Sequence, residues 1–253
     1  MSGALELVAI AAAGVAAGGI NAVVGSGTLI TFPTLLAFGY PPVLANVSNN
    51  IGLVPGTLSA AYGYRRELRG QRRRLLRFGT GSLLGGLIGS LLLLTLPAET
   101  FAAVVPVLIL AACVLVLLQP RLNRWLTRRR PHDDGRDGGV PMWLGVLGTG
   151  VYGGYFGAAQ GVLLMGLFGS FLRDDLQRLN AVKNVLAAIV NGVAAVIFIA
   201  VTHVDWAAAG AIAAGATLGG LLGARVGRRL PPTALRAVIL VVGVTASVTL
   251  LLG

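Results

Sequence analysis

The chain has 253 residues, of which 55% are hydrophobic and 11% are charged. Soluble domains carry about 25% charged residues, so this composition excludes a water-soluble enzyme. The net charge of +11 would favour nucleic-acid binding in a soluble protein. Here the arginines lie in loops between apolar runs without interleaved aromatic residues, a pattern that sets the orientation of membrane helices. We therefore predict an all-α polytopic membrane protein with no nucleic-acid partner.

Apolar segments follow one another along the chain. They cover residues 4–24, 28–38, 45–62, 79–96 and 101–118, then 141–158, 161–172, 180–201, 206–224 and 234–252. A bilayer crossing takes about 20 apolar residues, so we expect about eight transmembrane helices plus shorter segments. The polar stretch in the middle predicts three regions: a first membrane repeat over 1–119, a linker over 120–140 and a second membrane repeat over 141–253.

Two of these segments are too short to cross a membrane. At about 1.5 Å per residue, residues 28–38 reach about 17 Å, roughly half of a hydrocarbon core about 30 Å thick. The glycine-rich residues that precede the two short segments are Gly25-Ser26-Gly27 and Gly153, Gly154 and Gly157. Broken or re-entrant segments at corresponding positions of two halves indicate a transport site.

The two halves repeat each other at one constant offset, without a gap. The matched positions are Asn46 with Asn180, Asn50 with Asn184, Gly81, Gly85, Gly86 and Gly89 with Gly215, Gly219, Gly220 and Gly223, and Leu96-Pro97 with Leu230-Pro231. Glycines four residues apart allow close packing of helices. Duplicated halves are common in transporters, which hold the substrate between them.

The arginine-rich loops predict the orientation of each half. Residues 65–77 contain seven arginines and residues 121–136 contain six, so both loops are expected in the cytoplasm. In the second half, two helices flank the 201–206 turn, and their basic residues lie at the ends away from that turn. If those ends are cytoplasmic, the turn is outside. That turn corresponds to the first half's cytoplasmic loop, which indicates inverted repeats. Parallel repeats are the alternative, because three arginines near a helix end can be tolerated outside.

Two pairs of asparagines are the first candidates for a binding site. Asn46 and Asn50 are four residues apart and share a helix face, as do Asn180 and Asn184. Unpaired amides are costly in hydrocarbon. These four asparagines lie near the beginnings of the helices that follow the short segments, and the N-terminus of a helix suits an anion. The alternative is that they cap helices and form interhelical hydrogen bonds.

Lys183 is the only lysine in the chain. A charge at membrane depth costs about 2.5–3.5 kcal/mol, so this side chain either offsets the charge of a substrate or extends to the headgroups. The sequence has no Walker-type phosphate loop, CxxC, HExxH or GxSxG motif. We therefore expect no enzyme activity, no cofactor and no metal, and active transport would draw on an ion gradient.

Taken together, the motifs resemble the sulfite exporter TauE/SafE family over nearly the whole chain. They are GGINAVVGSGTLITFP at 18–33, LLAFGYP at 35–41, ANVSN at 45–49, the run 153–164, NAVKN at 180–184, VDW at 204–206 and RRLP at 228–231. The resemblance implies a multi-pass permease of the bacterial inner membrane that moves sulfite, thiosulfate, sulfoacetate or similar anions. Where that family often has a further glycine, this chain has Ala158-Ala159-Gln160-Gly161, and Gln160 is expected to alter selectivity.

These observations predict a secondary transporter, working as an exporter by alternating access with proton coupling. A passive anion channel of the same architecture is the alternative. The expected partners are a small anion, a proton and the lipid bilayer, and a homodimer is one option for the assembly. The candidate substrate-binding residues are Gly25, Ser26, Gly27, Asn46, Asn50, Gln160, Gly161, Asn180, Lys183 and Asn184.

Overall fold

The computed structural model describes residues 3–128, 138–172 and 174–226, and five isolated positions between 237 and 245. Across these residues the secondary structure is helical, without strands. The helices are α1 (Gly3–Val23), α2 (Thr28–Ala37), α3 (Pro42–Gly63), α4 (Arg72–Thr95), α5 (Ala98–Arg128), α6 (Gly139–Tyr155), α7 (Gln160–Phe171), α8 (Leu176–Val201) and α9 (Trp206–Val226). The predicted segment 234–252 and the middle of the linker lie outside the described residues, apart from those isolated positions.

Five of the described helices are long and apolar enough to cross a membrane: α1, α4, the part of α5 up to Gln119, α8 and α9. Leucines such as Leu83 and Leu91 on α4 point outwards and are 47% and 44% exposed. Apolar side chains on the outer face suit contact with lipid. The prediction of an all-helical membrane protein with several spans is confirmed, and the number of about eight crossings stays a prediction.

Helices α2 and α7 are the two short segments. They have 10 and 12 residues, which is too few for a crossing. The linker was expected from residue 120, and the part of α5 that is apolar enough to cross a membrane ends at Gln119. The helix itself continues to Arg128. Leucine, glutamine and arginine are good helix formers, so the helix outlasts the apolar run.

The two halves of the chain interleave. The most extensive helix contacts are those of α1 with α9, α3 with α9 and α4 with α6, each of which joins one half to the other. A Cβ atom built on Gly219 would lie 2.0 Å from the carbonyl oxygen of Val15, and one on Gly89 would lie 2.0 Å from that of Val151. The glycine ladders therefore bring helices into backbone contact, as predicted, and the contact is between the halves.

The constant offset without a gap is wrong for the first two helices of each half. The starts of α3 and α8 are separated by the same number of residues as Asn46 and Asn180, and so are the starts of α4 and α9. However, the spacing between the end of α1 and the end of α6 is two residues shorter. The spacing between the start of α2 and the start of α7 is shorter by the same amount. The difference arises because α7 is two residues longer than α2.

Contacts between loops and helix ends locate both ends of α3 and α8. The Arg178 side chain near the start of α8 donates to the Arg69 carbonyl, 3.2 Å away, in the loop between α3 and α4. The Asp205 N–H, in the turn between α8 and α9, donates to Ser48 Oγ near the start of α3 at 3.1 Å. Each of these loops therefore lies beside the beginning of the corresponding helix from the other half.

Candidate transport site

Each half has a break between its first long helix and its short helix. The first break runs from the end of α1 through Gly25 to Thr28, and the second runs from the end of α6 through Gly157 to Gln160. Gly25 has a φ of 83° and Gly157 a φ of 79°. Glycine adopts this left-handed conformation without steric cost, so the glycines end the helices as predicted.

The two breaks touch each other through their backbones. The Gly161 N–H donates to the Gly25 carbonyl at 3.0 Å. A Cβ on Gly25 would lie 2.4 Å from Gly161 Cα, and a Cβ on Gly161 would lie 2.5 Å from Gly25 Cα. No side chain fits at either position. We call this backbone contact the glycine crossing. It places Ser26, which follows Gly25, beside the second break, and Gln160, which precedes Gly161, beside the first break.

Three side chains of α8 converge on the end of α1. Asn180 and Asn184 each donate from Nδ2 to the Ala22 carbonyl, at 3.1 and 3.2 Å. Lys183 Nζ donates to the Asn21 carbonyl at 3.1 Å and to that of Ala22 at 3.4 Å. The last carbonyls of a helix lack partners within the helix and carry partial negative charge. These three side chains therefore supply the donors that the broken α1 needs.

Asn46 plays the equivalent part for the second break. Its Nδ2 donates to the carbonyl of Tyr155, the last residue of α6, at 3.0 Å. Asn46 and Asn180 thus each cap a broken helix of the opposite half. The nitrogen atoms of these amides therefore cap helices and form interhelical hydrogen bonds, which is one of the two roles considered for them.

Lys183 is buried rather than extended towards the headgroups. Its residue is 1% exposed, and none of the carboxylates that the structure describes forms an ion pair with it. Its counterpart in the first half, at the offset that relates Asn46 to Asn180, is the neutral Asn49. Asn49 accepts a hydrogen bond from the Thr31 hydroxyl of α2. A lysine in the second half and an amide in the first therefore break the symmetry of the two halves at this position.

Five side-chain atoms of the candidate set are buried without a hydrogen-bond partner among the described residues. They are Ser26 Oγ, Asn46 Oδ1, Asn50 Oδ1, Gln160 Nε2 and Asn180 Oδ1. Each belongs to a residue that is at most 9% exposed. An unpaired buried polar atom costs about 1–3 kcal/mol, and such atoms are rare in native structures. Their concentration here is the property expected of a site that binds a polar ligand.

The second break contains a strained alanine. Ala159 has a φ of 59°, a conformation that costs a residue with a Cβ about 1–2 kcal/mol. The adjacent Ala158 carbonyl accepts a hydrogen bond from the Tyr152 hydroxyl at 2.6 Å, and the Phe156 ring packs edge-on against Phe32 of α2. The sequence signal for this feature was the missing further glycine in the stretch Ala158-Ala159-Gln160-Gly161, although the expected consequence was a change in selectivity through Gln160.

An ion-pair cluster fixes the start of α8. Asp174 contacts Arg74 at 2.7 Å and Arg178 at 2.8 Å, and the Asp175 side chain caps α8 by accepting from the N–H groups of Gln177 and Arg178. Burial alone would raise the pKa of Asp174, but the hydrogen bonds from Arg74 and the Asp175 N–H and the charges of Arg178 and Arg74 lower it. The cluster holds the helix that carries Asn180, Lys183 and Asn184.

The structure brings most of the predicted residues to one region. Gly25, Ser26, Gly27, Gln160 and Gly161 form the breaks, while Asn180, Lys183 and Asn184 reach the end of α1. Asn46 reaches the other break, and Asn50 lies one turn further along α3. The pairing of Asn49 with Thr31 and the main-chain carbonyls of Asn21 and Ala22 were not predicted. Carbonyl acceptors leave no signal in a sequence, so only the fold could reveal them.

Comparison with known proteins gives a consistent result. The family model described as "Sulfite exporter TauE/SafE" matches residues 10–250. The probable membrane transporter protein YfcA of Escherichia coli K12 is 28% identical over 237 residues, which are 93% of this chain and 86% of that protein. A probable membrane transporter protein of Haemophilus influenzae is 27% identical, covering 88% of this chain and 85% of its own. No solved structure matches significantly.

Proposed function

Because this chain belongs to the TauE/SafE sulfite exporter family, a family of membrane transporters, we propose that it is a secondary transporter of a small anion. The substrate is a sulfur-containing or organic anion such as sulfite or sulfoacetate. Transport is export across the bacterial inner membrane by alternating access, coupled to a proton. The ten candidate residues around the two breaks form the substrate site.

The observation that carries this proposal is the burial of Lys183, the one lysine of the chain. A buried charge is unfavourable unless it is paired, and none of the described carboxylates pairs with it. The end of α1 offers only the equivalent of about half a negative charge. An anion beside Lys183 would complete the neutralisation, and the unpaired polar atoms of the surrounding side chains would bind its oxygens and hydrogens.

Inverted repeats are part of the proposal. Support comes from the contact of the start of α8 with the loop between α3 and α4, and from the contact of the 202–205 turn with the start of α3. Helix α8 has 26 residues and is therefore about 39 Å long, so its two ends lie on opposite sides of a bilayer. With the arginine-rich segments 65–77 and 121–136 in the cytoplasm, the 202–205 turn is outside.

Anion flux into proteoliposomes tests the function. Lys183→Met keeps the length and the apolar part of the side chain but removes its charge, and we expect flux of sulfite to fall at least about tenfold, equivalent to about 1.4 kcal/mol. Asn191→Leu is the matched control, since this buried amide lies about two turns beyond Asn184 on the same helix. Asn191→Leu should retain flux. A Lys183→Met protein that melts and transports like the wild type would refute the proposed site.

The same vesicles distinguish a transporter from a channel. A proton-coupled transporter accumulates the anion when a pH gradient is imposed. Flux that follows only the electrochemical gradient of the anion would favour the passive channel instead.

A further inference from the structure

The orientation of three amide groups at the site is fixed by their partners. Asn46, Asn180 and Asn184 all face main-chain carbonyl oxygens, those of Tyr155 and Ala22. A carbonyl oxygen only accepts hydrogen bonds, so a reversed amide would set two oxygens against each other. The nitrogen atoms are consequently occupied by the helix ends, and the oxygens of these amides point elsewhere.

The site therefore offers the oxygens of Asn46 and Asn180 as free acceptors, and Asn50 adds an amide that no helix end engages. Asn46 Oδ1, Asn50 Oδ1 and Asn180 Oδ1 are buried and have no hydrogen-bond partner in the part of the chain that the structure describes. The three residues are 2%, 9% and 6% exposed. An anion that carries acceptors alone would meet these oxygens with its own and leave them unpaired.

Free donors lie at the glycine crossing. Ser26 Oγ follows Gly25, and Gln160 Nε2 precedes Gly161; both atoms are buried and unpartnered among the described residues. When protonated beside an anion, Lys183 Nζ has three N–H groups and contacts two carbonyl oxygens, which leaves one. The region thus combines a positively charged set of donors with a set of neutral acceptors.

We propose, on the basis of the transport function above, that the transported species is an anion that carries a hydrogen-bond donor of its own. Its charged oxygens accept from Lys183, Gln160 and Ser26, and its O–H or N–H donates to an asparagine oxygen. Such a site takes hydrogensulfite in preference to the sulfite dianion, and a hydroxylated sulfonate in preference to its unsubstituted analogue. Sulfate and the sulfoacetate dianion, which have acceptors alone at neutral pH, are excluded, so the inference narrows the class of substrates proposed above.

Matched pairs of anions test this inference. We would measure the uptake of isethionate against ethanesulfonate and of glycolate against acetate into proteoliposomes containing the wild-type protein. Within each pair the charge is the same and one member has an additional hydroxyl group. We expect the hydroxylated member to move at least about tenfold faster, because its analogue leaves a buried acceptor unpaired.

A variant of Asn50 tests the role of the acceptors. Asn50→Leu removes an oxygen that has no partner in the described chain, and unlike a change at Asn46 it removes no helix cap. The ratio of isethionate to ethanesulfonate flux should fall towards one. The comparison of the pairs in the wild type does not depend on the folding of this variant.

The outcomes separate this inference from the proposed function. Equal flux of both members would overturn the inference and leave transport standing, and an unchanged ratio in a folded Asn50→Leu protein would overturn the assignment of Asn50 as the acceptor. If sulfite and both members of every pair fail to move, the transport proposal fails and the inference fails with it.

Discussion

At the scale of single residues, polar side chains satisfy the carbonyl groups at the end of a helix, a role that water or a glycine cap has in most helices. Ala22 near the end of α1 receives donors from Asn180, Asn184 and Lys183. In a bilayer no water is present to satisfy the last carbonyls of a broken helix. Polar side chains from another helix must therefore supply the donors, and the same side chains then lie at the break, where a ligand would be bound.

Strain at Ala159 leads to a prediction on stability. Ala159→Gly removes the cost of a positive φ, about 1–2 kcal/mol, which offsets the loss of a buried methyl group worth about 0.8 kcal/mol. Ala158→Gly loses an equally buried methyl group and has no positive φ to relieve. We expect Ala158→Gly to lower the melting temperature in detergent more than Ala159→Gly does. The reverse order would show that Ala159 is not strained in solution.

At the scale of elements, the two breaks are held by contacts with each other and with neighbouring helices. The glycine crossing joins them directly, and edge-on aromatic contacts of Phe156 with Phe32 and Phe101 pack the second break against α2 and α5. A side chain at the crossing would force the breaks apart, since a Cβ on either glycine meets backbone at 2.4–2.5 Å and backbone atoms cannot move aside separately.

Substitutions of helix glycines test the crossing. Gly161→Ala should impair transport strongly, at least about tenfold, because a misplacement of about 1 Å in a site can cost a hundredfold in rate. Gly192→Ala is the control, since a Cβ there meets nothing within 4 Å and alanine favours the helix by about 1 kcal/mol. Flux and melting temperature should be retained or raised in Gly192→Ala. Normal flux in Gly161→Ala would mean that the crossing has no part in transport.

The short helices show what a sequence reveals and what it hides. Gly25 and Gly157 marked the breaks because backbone conformation depends on the local residue type, and lengths too short for a bilayer marked α2 and α7. The asparagine repeat marked α3 and α8. The partners of those asparagines could not be predicted, because Ala22 and Tyr155 take part through carbonyls that every residue has. The two-residue change in the offset between the halves was also missed, since apolar helices differ little in composition at their ends.

At the scale of the whole molecule, interleaving limits how the two halves can move. Helix α1 packs along α9 and α4 packs along α6 through glycine contacts with almost no space between the backbones. Separation of the halves as two rigid bundles would break all of these contacts together. We therefore expect alternating access to involve the breaks and the short helices α2 and α7, while the long helices stay packed.

The topology of the two halves gives the last prediction. Single cysteines at exposed positions, Arg66→Cys in the loop between α3 and α4 and His203→Cys in the turn between α8 and α9, are placed in a Cys113→Ser background. If the halves are inverted, a membrane-impermeant maleimide added to intact cells labels His203→Cys and leaves Arg66→Cys unlabelled until the membrane is opened. The background protein should stay unlabelled throughout. Labelling of both positions from one side would instead require parallel repeats, and α8, at about 39 Å, would then have to begin and end on the same side of the bilayer.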